Sequence, residues 1–347
     1  VAESVNQAIA DRLTQRHLGA LRVETGLRRQ VLQRLDILEA ELLAAIRSAD
    51  PTQFALLSRR KREVEVLVKD ELDPLVQARY DAIAALLDAA LVRLAESEAQ
   101  AVETIVNAEA ETEVITEQPS DRQLRAGVVL TLFPSAAKPT DLSTTGADWW
   151  QRQADALTQR LSDTLTVSTS LEESLTQMTT RVRGTQANGF QDGVMGKARQ
   201  DAQRLLTTQT TNALGEARAA VAQENAARLI VQHVSILDSR TSSICLARNG
   251  LKYTADTHEP IGHDIPYLNG VPYHPNCRSS IVPVLQDGGP VAQESTDAWL
   301  RRQSIQTQND ILGPGRAVRW RAGTLSATDL INASTGVPLT LDELDAL

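Results

Sequence analysis

Residues 270–285, GVPYHPNCRSSIVPVL, set a histidine and a cysteine three positions apart and follow the cysteine with an arginine. The chain's other cysteine lies upstream, in ILDSRTSSIC. Neutral imidazole and thiolate are good zinc ligands, and closed structural sites use four such donors. Cys245, His274 and Cys277 supply three, and the HPNC spacing holds two of them in one turn. Ser279 stands where a fourth would be convenient, so His233, Asp238, His258 or His263 would have to complete a zinc set.

Two other chemistries compete for the same residues. One is catalytic: a metal-dependent nuclease or other hydrolase built on His263, His274 and Cys277. That chemistry needs a base to activate water and further ligands on a following helix. SSIVPVLQDGGP reads instead as a strand and loop, and no HExxH is present. The other is structural. In DSRTS the side chains of Asp238 and Ser242 are suited to bonding neighbouring backbone in a turn. Pro272 and Pro275 stiffen the approach to Cys277. Arg278, with a planar fork of donors, is placed to clamp carbonyls or Asp238 and so tie the two halves together.

These residues need elements to carry them. The chain has 347 residues, 42% of them apolar but only 3% aromatic. Its core must therefore come from Leu, Ala, Val and Ile, a composition that favours helices. A net charge of −9 and a pI near 5.2 argue against a protein that coats nucleic acid, which needs a basic face. Two cysteines do not make a disulfide framework. No stretch approaches the run of about 20 apolar residues needed to span a bilayer, and VAESVNQAIADRL lacks the pattern of a secretory signal. The expectation is a soluble protein made in a cytoplasm, with no membrane partner.

Leu27, Val31, Leu35, Leu38, Leu42 and Ala45 alternate steps of four and three, one stripe of a helix. SADP at 48–51 interrupts it, with Asp50 as cap and Pro51 at the first position of a second helix ending near Lys69. A third helix carries Val76, Tyr80, Ile83, Leu87, Leu91 and Leu94 and is expected to reach about Val114. The run Val128–Phe133 is β-prone and precedes a Pro-, Ser- and Thr-rich stretch, so a strand or arm and then a linker are expected. Helix returns at Asp148. Ser170 with Glu173 has the pattern of a capping box for the next helix, carrying Leu171, Leu175 and Met178. Another helix covers about 194–228. IVQHVSIL, GLKYTA and SSIVPVL then read as strands, and helices return from Ser295 to Thr340–Glu343.

The fold class expected is mostly α: long N-terminal helices, a small α+β module and short C-terminal helices. The expected divisions are 1–117, a helical hairpin, bundle or arm; 118–147, an extended segment and linker; 148–287, helices followed by a β-containing module from about 230; and 288–347, a helical tail. Two basic clusters stand out. Arg59, Arg60, Lys61 and Arg62 lie on a helix, and Arg316, Arg319 and Arg321 flank Trp320. Solvated faces account for such clusters most simply; contact with an acidic partner surface or with DNA is the alternative.

ILDSRTSSIC, NGLKY and VPYHPNCRSSIVPV together resemble the signature of phage head-morphogenesis proteins, the Mu F-like minor head proteins. The resemblance spans about 195–347 and extends to WLRRQSIQTQNDILGPGRAVRWRAGTLSATDLI and PLTLDEL. Residue by residue it points to Asp238, Arg240, Thr241, Cys245, Gly250, His274, Pro275, Cys277 and Arg278. This chain carries Ser279 where many relatives carry a cysteine. The resemblance implies a minor component of the virion, acting in head morphogenesis and DNA-packaging assembly. Its implied partners are the portal protein, the major capsid protein and packaged DNA. Its implied place is the capsid interior or portal vertex.

Overall fold

The structure, a computed structural model, describes residues 4–54, 57–131, 133–134, 142–291, 294–323, 325–332 and 339–345. It is mostly helical, with long N-terminal helices, one small sheet and short helices near the C-terminus. Helix α1 runs Val5–Ala49, α2 Leu57–Leu67 and α3 Asp73–Glu109, with a π-helical turn, Val68–Leu72, joining α2 to α3. There follow α4 (Asp121–Leu130), the ribbon strands β1 (Phe133–Pro134) and β2 (Leu142–Thr144), α5 (Gly146–Ser170), α6 (Leu175–Arg183) and α7 (Val194–Glu224). The module consists of β3 (Leu229–Val234), α8 (Ser243–Arg248), β4 (Lys252–Thr254), β5 (Pro260–Ile261) and β6 (Ser280–Leu285). Four helices complete the described chain: α9 (Thr296–Arg301), α10 (Ile305–Leu312), α11 (Pro314–Arg321) and α12 (Leu341–Asp345).

These elements form two compact units that interleave along the sequence. One comprises Val1–Leu21, Leu91–Thr144 and Thr207–Leu347; the other comprises Arg22–Ala90 and Thr145–Leu206. The edges of these units fall within α1 and α3, at Thr144–Thr145 close to the division expected at 147, and within α7.

The all-helical unit follows its apolar periodicity. Leu27, Val31, Leu35, Leu38 and Leu42 of α1 are buried, as are Val76, Tyr80, Ile83 and Leu87 of α3. Trp150, Ala154, Leu157, Leu161 and Leu165 of α5 add a third stripe, and the Tyr80 and Trp150 rings meet at 6.2 Å. Each fully buried Leu or Ile contributes about 1.5–3 kcal/mol. Asp50 takes a left-handed conformation and makes no side-chain cap, and Pro51 begins a single 3₁₀ turn. The capping box expected at Ser170 and Glu173 is instead at Ser174 and Gln177, which starts α6. Ser170 ends α5, and Leu171 is left exposed.

In the other unit, the run from Val128 is not a strand up to Leu130. It ends α4, which a Ser120–Gln123 capping box starts and whose Leu124 and Val128 are buried. The reciprocal cap and the i, i+4 apolar pair outweigh the β preference of the valines. Among the described residues that follow, Phe133–Pro134 forms a strand, paired antiparallel with Leu142–Thr144. The sheet has the order β5-β4-β3-β6, all antiparallel. Nearly every residue of β6 is buried, which fits the apolar run SIVPVL. Leu246 of α8 joins Trp299, Leu300, Leu312, Trp320, Leu330 and Leu339 in a second apolar cluster beside the sheet module.

Candidate metal centre

The two cysteine-bearing segments meet beside α7. Ser242 caps α8, its hydroxyl accepting from the Cys245 amide, and this places Cys245 in the first turn. Cys277 follows a tight turn in which its amide donates to the His274 carbonyl at 3.0 Å. Asn276 supplies the positive φ (+62°) that this turn requires. Two threonines of α7 hold the turn. Thr208 accepts from the Asn276 amide at 2.9 Å, and Thr211 donates to the Cys277 carbonyl at 2.9 Å.

The ligand atoms of Cys245, His274 and Cys277 all lie within 4.8 Å of one another. The two sulfurs are 3.7 Å apart and unbonded, and Cys245 Sγ is 3.2 Å from His274 Nε2. His274 Nδ1 lies 2.9 Å from the Pro275 carbonyl. A carbonyl only accepts, so Nδ1 carries a proton and Nε2 is the ring nitrogen turned toward the sulfurs. Ser242 Oγ is 2.8 Å from Nε2. Ser279, fully buried, sits 3.3 Å from Ser235, which donates to the Cys245 carbonyl.

The charge balance is uneven. Burial disfavours the Cys277 thiolate, yet hydrogen bonds from Cys245 and His274 hold the group well below the ordinary thiol value. Cys245, hydrogen-bonded to Cys277 and buried, is pushed up. Burial disfavours the His274 cation, but the Cys277 partner raises it on balance.

Outside this group the expected clamp forms. Arg278 donates to both Asp238 oxygens, at 2.7 and 2.6 Å, and this pairing holds the Asp238 carboxyl down to about 2. Asp238 also accepts from the Arg240 amide at 2.8 Å, while Thr241 Oγ1 accepts from the Asp238 amide and donates to the Ile236 carbonyl. The Arg240 guanidinium is largely exposed, 3.6 Å from Asp238. Gly250 takes φ +88° and donates to the His233 carbonyl at 2.9 Å, closing the turn between α8 and β4. Seven of the nine residues singled out by the motifs thus belong to one knot: Asp238, Thr241, Cys245, His274, Pro275, Cys277 and Arg278.

None of the residues considered for a fourth ligand joins the three. His233 is fully buried, its ring packed 5.2 Å from Tyr273 and its pKa lowered by burial to about 4. His258 stacks on Tyr267 at 4.1 Å. His263 bonds the Lys252 carbonyl at 2.9 Å and packs edge-on against Tyr253. Asp238 is occupied by Arg278. The trio His263, His274 and Cys277 is likewise not assembled.

The basic clusters have different fates. The side chains of Arg59 and Arg60 lie outside the described residues; Lys61 and Arg62 are exposed, with Lys61 3.9 Å from Glu65. Trp320 is buried and donates to Asp297 at 2.6 Å. Arg316 donates twice to the Leu339 carbonyl, Arg319 to the Gly315 carbonyl, and Arg321 to Gln308 and Asn309. These arginines bind their own chain.

One feature was missed in the sequence. Arg218 of α7 is completely buried and donates to Glu98 of α3 at 2.7 Å, to the Leu13 carbonyl of α1 at 2.8 Å and to Ser280 of β6. Glu98 is also buried and accepts from Arg16 at 2.6 Å. A signal was present: Arg218 falls in step with Leu214 and Val221, and Glu98 with Ala95 and Val102. A charge on an apolar stripe marks a buried pair.

Comparison with protein-family models, with curated proteins and with solved structures returns no match for this chain.

Proposed function

We propose that the protein is a structural minor head protein of a tailed phage, acting in head assembly by binding the portal or the inner capsid. The sequence resemblance to Mu F-like proteins supports this reading. One structural observation carries it further: the dispersed motif residues converge on a single clamped knot. Asp238 and Arg278, forty residues apart, share a two-pronged bond, and Cys245, His274 and Cys277 cluster beside it. Residues shared by a motif for shape-holding should bond one another, and these do. The role assigned to the module is architectural: it presents helices and a sheet edge to a larger assembly.

The experiment is fractionation of infected cells or purified particles, with peptide mass spectrometry of portal-containing heads. The expected result is this chain in the heads at low copy, lost from them together with the portal. Its absence from gently purified heads, combined with a bond-cleaving activity abolished by His274→Ala, would overturn the proposal.

A further inference from the structure

We infer that Cys245, His274 and Cys277 bind a zinc ion, with an oxygen ligand on the side of Ser242 and Ser279 as the fourth donor. This inference does not rest on the head-protein reading; it stands on the geometry of the three donors.

Distances come first. A tetrahedral zinc with sulfur at about 2.3 Å and nitrogen at about 2.0–2.1 Å sets its sulfurs about 3.7–3.8 Å apart and each sulfur about 3.5 Å from the nitrogen. Here the sulfurs are 3.7 Å apart and Cys245 Sγ lies 3.2 Å from Nε2. A disulfide would need the sulfurs at about 2.05 Å, and an apolar packing of two thiols needs no imidazole edge between them. The spacing is that of donors around a common centre.

The surroundings come next. A metal-bound imidazole ordinarily donates its other nitrogen to a carbonyl or carboxylate, which fixes the ring. His274 has that bond in place through Nδ1 and Pro275. The Thr211 bond to the Cys277 carbonyl and the Ser235 bond to the Cys245 carbonyl anchor both cysteine backbones. Two thiols and an imidazole, with both cysteines buried, are a soft donor set that selects zinc over magnesium or calcium. On binding, Cys245 and any protonated Cys277 release their thiol protons to solvent, and the sulfur lone pairs form the bonds to zinc; no electron is transferred.

The fourth position is set by the hydroxyls. Ser242 Oγ lies 2.8 Å from Nε2 and accepts from the Cys245 amide, and Ser279 lies 3.3 Å from Ser235, which bonds the Cys245 carbonyl. An oxygen on that side, a serine hydroxyl or a water held between the two, thus completes the coordination. A thiol at position 279 would offer a stronger donor in the same place.

The test uses the full-length chain, purified under reducing conditions without added metal. Elemental analysis is expected to find zinc at one-to-one stoichiometry, lost in Cys245→Ser and Cys277→Ser. Ser279→Ala is expected to keep the metal, and Ser279→Cys to bind it at least about tenfold more tightly, because thiolate is the better zinc ligand. Should the cysteine variants fail to fold, cobalt(II) exchanged into the wild-type chain decides. A thiolate-to-cobalt charge-transfer band with tetrahedral d–d absorption is expected. Wild-type protein stripped of its metal and titrated with cobalt(II) that develops no such band overturns the inference. So does a Cys245–Cys277 disulfide persisting in reductant, or zinc retained by a folded Cys245→Ser, Cys277→Ser double variant.

Discussion

The all-helical unit and the sheet module solve the same problem with different materials. In residues 22–90 and 145–206, stripes of leucine and valine carry the packing, with Tyr80 and Trp150 as the large side chains. Around 229–285 the short strands bury less, and polar atoms provide the specific connections: the Asp238–Arg278 fork, the threonine bonds from α7 and the cysteine–histidine group. Apolar burial is tolerant of which neighbour supplies it, whereas a fork or a ligand set accepts one geometry. The helical unit is held together broadly; the module is held in one shape.

Substitutions can break that contrast. The largest effect is expected where the polar strategy is most buried. Arg218→Ala leaves the Glu98 carboxylate facing only Arg16 in a closed interior and should cost about 3–5 kcal/mol, measured by denaturant unfolding. A change near zero would show that Arg218 adds nothing to the fold. Leu35→Ala, at a completely buried position, should cost about 2–5 kcal/mol through lost burial and a residual cavity. Hydrogen exchange should register the loss across the α1 and α3 segments of the helical unit. Asp238→Asn keeps the size but loses the charge-assisted fork, for about 1.5–2 kcal/mol. Because that pair is a local staple, proteolysis should open the 236–242 loop before the helices.

The smallest effect is a slope. Glu216 lines a cleft with His258 and Tyr267, and burial raises its pKa from 4.5 to about 7. A carboxyl raised on folding binds its proton more tightly in the native state, so its contribution is fully present below pH 4.5 and is lost as pH climbs through 7. Between pH 6 and 7 the decline should be about 1 kcal/mol. Glu216→Gln should flatten that part of the stability–pH curve; an unchanged slope would assign the decline to another group.

The same contrast explains what was legible in the sequence. Apolar periodicity is written in neighbouring residues, so the stripes of α1, α3 and α5 could be read directly, as could the Thr340–Glu343 capping box. The runs IVQHVSIL and SSIVPVL were equally plain as strands, although β3 stops at Val234. Arg278 clamping Asp238 was readable because a planar donor fork and a turn aspartate suit one another. Competition between local signals was harder. Val128–Leu130 joined a helix because Ser120 and Gln123 cap it, and the Ser174–Gln177 box prevailed over Ser170–Glu173. Least legible was proximity across long separations. Nothing near Arg218 in the chain announces Glu98, and no spacing rule excludes His233, His258 or His263 from the cysteines. Their exclusion follows from the sheet register, which sends His263 to the Lys252 carbonyl and His233 against Tyr273.

The bonds from Thr208 and Thr211 to the turn that carries Cys277 have a mechanical consequence. Helix α7 holds the module at Asn276 and Cys277 through Thr208 and Thr211 and at Ser280 through Arg218. The turn that carries Cys277 and the first residue of β6 are thus fastened to one helix, so the cysteine turn and the sheet keep a common register.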